Sequence, residues 1–223
     1  MTFESSKTLG GVGALLLFIS FIPLVSSFTY GVLPLIGLIL LLIGMKGLAD
    51  YYKEPGIFSN SLYATIIGVV GAVALIAVAI GVLLVQAANF IREIYPGWNG
   101  DWATLGQMNP ADVNMNITFS NIAPFIATLL LMFVGLFIIV LVTALLYRKS
   151  LRHLNEKSGV GLFGTAGTIM LIGGALTIIF GLGLILIWIA ILLVAIAFFQ
   201  LREPSTQPPQ PYQYPPQYPP PPT

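Results

Sequence analysis

Residues 9–49 read LGGVGALLLFISFIPLVSSFTYGVLPLIGLILLLIGMKGLA, an apolar run whose one charged member, Lys46, stands close to the end. A single helix of that length would extend about 60 Å at roughly 1.5 Å per residue, twice the roughly 30 Å of bilayer hydrocarbon. The stretch therefore reads as two spans joined by a tight turn. Ser26, Ser27, Tyr30, Gly31 and Pro34 interrupt the apolar run and locate that turn. Pro34 suits the first turn of the second helix, where a missing N–H removes no intrahelical bond.

The same arithmetic applies further along. Leu62–Ile91 and Ile122–Tyr147 are apolar blocks, and each suffices for one span of about 20 residues. Gly159–Phe199 is as long as the first block, with Gly181 and Gly183 supplying the flexible point of a second hairpin. Spans are expected near 9–28, 31–49, 62–88, 122–147, 161–180 and 182–199. Asn60 with Ser59, and Asn121 with Ser120, are the expected N-caps of the third and fourth spans, and Pro124 follows as an early-turn proline. The expected fold is all-α: a polytopic transmembrane bundle of six spans over residues 1–202, with an outer loop at 92–121 and a disordered proline-rich tail at 203–223. The N-terminal stretch offsets its one lysine with Glu4 and has no clean A-x-A cleavage site, so it is expected to stay as the first span.

Composition points the same way. The 223 residues are 57% hydrophobic and 8% charged, against about 25% charged in soluble domains. A net charge of +1 gives no clustered basic face for nucleic acid. Without cysteine, disulfides, thiolate metal sites and cysteine nucleophiles are excluded.

Short cytoplasmic loops are enriched in Lys and Arg. Six spans with an inner N-terminus put Lys7, Lys46, Lys53, Arg148, Lys149, Arg152, Lys157 and Arg202 on one side and leave Arg92 alone on the other. The hairpins follow from length, so this division is an independent argument for both termini being cytoplasmic.

The central parts of the six spans contain no Asp, Glu, Lys, Arg or His. Proton relays, cation-coupled transport and intramembrane hydrolysis generally need such a group inside the bilayer. No catalytic, cofactor-binding or metal-binding residue is therefore assigned. His153 is the sole histidine, cannot form a multi-histidine site, and is expected in a solvated loop. The basic segment 148–157 sets topology in the simpler reading; the alternative is contact with anionic headgroups. Polar residues within the spans are mainly Ser and Thr, such as Thr128, Thr143, Thr168 and Thr177, with Gln86 and Asn89 near one end of the third span; such hydroxyls more often serve packing than a site.

Small residues recur at four-residue spacing: Ala64, Gly68 and Ala72 in the third span, and Gly173, Thr177 and Gly181 in the fifth. Such stripes let two helix backbones approach, within a bundle or between subunits. The first and last blocks end alike, which is consistent with a parallel repeat or with the likeness of any two apolar hairpins. The outer loop carries Tyr95, Trp98 and Trp102, suited to the headgroup level or to a ligand-contacting lid. Asn116-Ile117-Thr118 is a glycosylation sequon, expected to be unused so close to the fourth span.

The tail, EPSTQPPQPYQYPPQYPPPPT, holds ten prolines and cannot build a packed domain. A disordered spacer is the simpler reading. The alternative is a docking segment for a cytoplasmic protein, because Pro215, Pro216 and Tyr218 complete a PPxY pattern and Pro208 to Pro211 a PxxP pattern.

Three stretches carry a resemblance: residues 5–13 (SSKTLGGVG), residues 44–58 (GMKGLADYYKEPGIF) and residues 162–167 (LFGTAG). They resemble a largely archaeal family of small integral membrane proteins, domain of unknown function 996. The likeness covers residues 4 to about 202. It implies residence in a plasma membrane, here an archaeal one, and draws attention to the 46–58 loop, where a purely structural turn is the simpler reading and local ion pairs among Asp50, Lys53 and Glu54 are the alternative. It carries no activity, cofactor or site residue. The expected role is a non-enzymatic scaffold or accessory subunit in the lipid bilayer. The alternative is a small-molecule or lipid transporter or channel component using Ser and Thr hydroxyls, Gln86 and the outer loop, and a lipid-metabolic enzyme comes third.

Overall fold

A computed structural model describes residues 2–22, 31–114, 119–179 and 181–203, without the side chain of Asn121. Six long helices account for most of them: α1 (Phe3–Ser20), α2 (Val32–Tyr52), α3 (Pro55–Ile94), α4 (Phe119–Ser158), α5 (Gly161–Leu176) and α6 (Gly183–Gln200). Described residues form no strand. Four helices, α2, α3, α4 and α6, are long and apolar enough to cross a membrane. The α5 helix is equally apolar but shorter, and α1 opens on the polar residues Glu4 to Thr8.

Each helix packs on its neighbour in the chain, and α6 returns to α1, so the six close into a ring. The turns explain how. Gly181, at φ 75°, stands in the short connection between α5 and α6, which places the second hairpin where the glycines suggested. Gly31, at φ 81°, caps α2, with Pro34 in its first turn. The rest of the first turn, Ser26 to Tyr30, lies outside the described residues.

Two expected helix starts differ. Asn60 and Ser59 do not cap the third span; α3 begins at Pro55, and the Asn60 amide donates to Gly56 O at 2.7 Å from inside the helix. Ser120 and Asn121 likewise lie inside α4. The 46–58 segment is scarcely a loop. It holds the end of α2, the start of α3 and a short joint between them. Lys53 adopts the left-handed conformation (φ 52°), the Glu54 amide donates back to Ala49 O, and Pro55 opens α3. This is a Schellman stop followed by an N1 proline, and the pre-proline Glu54 is extended as sterics require. The basic segment 148–157 is helical too, carrying α4 to Ser158, where Gly159 (φ 72°) ends it. Its Arg, Lys, Leu and Glu are good helix formers.

The buried core gathers at the end of the ring that holds the basic residues. Phe3, Met45, Leu48, Ile57, Leu151, Leu154, Phe163, Phe198 and Leu201 form one cluster there. Toward the other end, α3 and α4 continue as a paired hairpin with few buried side chains. Each is 40 residues, or about 60 Å long. A π-helical turn at Ala79–Leu83 interrupts α3.

Candidate functional site

The α3–α4 seam carries most of the bundle's internal polar contacts. Near its basic end, the buried Ser61 and Ser150 hydroxyls lie 2.6 Å apart and both bond Ile57 O. One turn further, Thr65 Oγ1 and Tyr147 OH are 2.7 Å apart. The next hydroxyl, Thr143 Oγ1, is buried beside Gly68 with no partner among the described residues. Beyond it the seam is filled by hydrocarbon: Ile139 against Gly71 and Leu75 against Gly135. At the far end Phe90 and Phe125 stack at 5.2 Å, next to a cavity of about 410 Å³ lined by Gln86, Asn89, Arg92, Glu93 and Ser120. The expected Gln86–Asn89 pair thus faces the start of α4.

The outer loop is folded as a cap. Asp101 and Asn109 each open a 3₁₀ turn by accepting a backbone N–H two residues on. Asn114 N–H returns to Ile94 O at 2.7 Å and closes the loop over the end of α3. Trp98 is 4% exposed, its indole N–H donating to Asp101 O while Trp102 meets it edge-on. Arg92 lies 5.9 Å from its ring. Trp98 is thus a packing residue of the loop, and Trp102 stays exposed.

At the basic end, Glu54 receives Lys157 Nζ at 3.6 Å and faces His153 Nδ1 at 3.9 Å. His153 is therefore on α4, against the α2–α3 joint, and not in a loop. In place of local ion pairs among Asp50, Lys53 and Glu54 stand Lys46–Asp50 (3.8 Å) and these longer-range partners of Glu54. Next to this cluster, a cavity of about 600 Å³ opens between α4 and α5. Arg148, Arg152, Asn155 and Glu156 line it from α4; Gly161, Gly164, Thr165, Thr168 and Ile169 line it from α5.

The two stripes of small residues are placed differently. Ala64 is fully buried, Gly68 faces Thr143, and Ala72 lines an apolar cavity with Ile139, all on the α4 side of α3. Gly173 packs against the Gly183 backbone, and the buried Thr177 hydroxyl donates to Gly173 O. Gly181 lies past the end of α5, with Leu184 Cδ1 3.8 Å from where its Cβ would be, and serves the turn rather than a seam. A second close approach, between α1 and α2, involves glycines outside both stripes. A Cβ on Gly44 would collide with the Gly10 backbone, and one on Gly13 with the Gly37 and Leu41 backbones. Gly37 and Gly44, seven apart and so on one helix face, were the available signal. Pro215, Pro216 and Tyr218, and the sequon at Asn116, lie outside the described residues.

A family profile, Protein of unknown function (DUF996), matches residues 33–192. The chain belongs to this family. The match takes in α2 to α5 and the first half of α6, so the Glu54 joint, the α3–α4 seam and the arginine-lined cavity are all within it. No curated protein and no solved structure matches the chain.

Proposed function

We propose that this family member is a six-span protein of an archaeal plasma membrane, with both termini in the cytoplasm. We infer further that it acts as a non-enzymatic scaffold or accessory subunit whose proline-rich tail docks a soluble partner. The supporting observation is the way the α3–α4 seam is closed. Its hydroxyls, Thr143 apart, pair with one another or with backbone, and hydrocarbon from Ile139, Gly71, Leu75 and Gly135 fills the interval before the outer polar cluster. A packed seam holds helices together; a translocation path needs polar groups facing a gap. The proline-rich sequence of the tail, with its PPxY and PxxP patterns, is of the kind that aromatic grooves bind.

Removing residues 204–223 from the full-length protein should abolish recovery of its soluble partner from native membranes, and the tail fused to an unrelated membrane anchor should restore it. The same partner on the truncated protein would overturn the reading. The second reading, a transporter or channel component, draws support from the Gln86–Asn89–Arg92 cluster at one end and the hydroxyl ladder at the other. Solute flux in proteoliposomes, lost on Gln86→Leu, would favour it over the scaffold.

A further inference from the structure

We propose that the cleft between α4 and α5 is a binding site for the phosphate headgroup of an anionic membrane lipid, in the leaflet bordering the basic end of the bundle. The cleft exists because two helix faces are mismatched. Arg148, Arg152 and Asn155 project from α4 at one-turn intervals. Opposite them α5 offers mostly short residues, Gly161, Gly164, Thr165 and Thr168, with Ile169 as the one large side chain, and a cavity of about 600 Å³ remains. Its charge is uneven. Arg152 Nε is held by Glu156 at 2.8 Å, while Arg148 has no carboxylate partner among the described residues. The cleft therefore carries one uncompensated guanidinium, a group whose planar fork matches phosphate oxygens.

Two further donors converge. The Asn155 side-chain nitrogen lies beside Gly164, and α5 starts with no side-chain cap on its first-turn amides, which favours an anion there. Depth fits as well. Arg148 follows Tyr147 directly, at the end of the apolar part of α4, and the stretch from Arg148 to Glu156 rises about 12 Å. That spans the headgroup layer beside a roughly 30 Å hydrocarbon core. The proposal rests on membrane residence but not on the scaffold role.

Native mass spectrometry of the full-length protein, released from micelles containing equal phosphatidylglycerol and phosphatidylcholine, tests it. Retained lipid should be predominantly phosphatidylglycerol. Arg148→Gln should reduce that retention about fivefold, the scale of one interfacial basic charge. Thr168→Leu, which fills the cleft and keeps every charge, should reduce it too, so the test survives if the arginine variant fails to fold. Lys149→Gln removes a neighbouring charge that does not line the cleft and should leave retention unchanged. Equal retention of the two lipids, or equal loss in the Lys149 and Arg148 variants, would overturn the proposal in favour of diffuse surface attraction. Displacement of phosphatidylglycerol by millimolar inorganic phosphate would overturn the lipid assignment and leave a soluble anion as the ligand. Failure of the tail-deletion experiment would leave these outcomes untouched.

Discussion

Gly44 and Gly10 show what a single hydrogen in place of a methyl does for this bundle. Lipid removes the hydrophobic drive between helices, so close backbone packing has to hold them. On Gly44, a Cβ would meet Gly10 and lie 2.8 Å from Ser6 O, backbone that cannot swing aside. Gly44→Val should destabilise the protein by about 1–3 kcal/mol, the usual range for overpacking. Gly81→Ala is the matching control, since nothing lies within 4 Å of the added carbon and alanine favours helix. Thermal unfolding in detergent, followed by far-ultraviolet circular dichroism, should show a clear loss for the first and none for the second. Equal melting temperatures would remove the glycine seam from the account. The Thr65–Tyr147 hydroxyl pair makes a smaller claim. A double-mutant cycle with Thr65→Val and Tyr147→Phe should give a coupling of about 0.6 kcal/mol, the average for hydrogen bonds between membrane helices. A coupling near zero would make the 2.7 Å contact incidental.

Among the elements, the joint between α2 and α3 is the most sharply specified. Lys53 is the one non-glycine residue with positive φ among those described. That conformation costs an L-residue roughly 1–2 kcal/mol. Its side chain enters no ion pair among the described residues, and its backbone amide supplies a bond any residue could make. Lys53→Gly should therefore raise the melting temperature, with Lys53→Ala neutral or slightly lower; a loss of stability in the glycine variant would mean the lysine itself is needed there. The elements also show where sequence reading worked and where it failed. Length against bilayer thickness was enough to break Gly159–Phe199 into a hairpin near Gly181, because one unbroken helix would be about twice as long as the hydrocarbon is thick. The start of α3 was missed because Ser59 and Asn60 have the chemistry of caps. Inside a helix their polar atoms turn to its own carbonyls, as Asn60 does to Gly56 O, and only the Schellman stop before Pro55 reveals the true boundary. The basic run 148–157 has the charge of a loop, yet its Leu151 and Leu154 stand at helical spacing and bury a face. The basic half of the arginine cleft was visible as a segment suited to anionic headgroups, but the cleft itself was not, since it depends on the short side chains that a different helix, α5, sets opposite.

For the whole molecule, the arrangement of charge and the arrangement of packing agree from separate starting points. Hydropathy and the basic residues put positions 7, 46, 53 and 148–157 on one side; the structure gathers those segments at one end, linked by Lys157–Glu54 and by Lys46 over the Phe58 ring. Whether each short hairpin crosses completely turns on length. Helices α5 and α6 have 16 and 18 residues, about 24 and 27 Å, a little under the hydrocarbon thickness. Small mismatches of this size are met by local thinning, so a full crossing is expected. The chain has no cysteine, so single-cysteine variants report without background. In sealed vesicles, Lys53→Cys, Lys157→Cys and Arg202→Cys should react with a membrane-impermeant maleimide from one common side. Asp101→Cys and Leu182→Cys should react from the other. If Leu182→Cys is blocked from both sides while Asp101→Cys reacts, the α5–α6 hairpin turns back inside the bilayer and the molecule has fewer than six spans. If Leu182→Cys reacts on the Lys157 side, α5 does not cross at all, and the inside-facing charge division that places both termini together loses its basis.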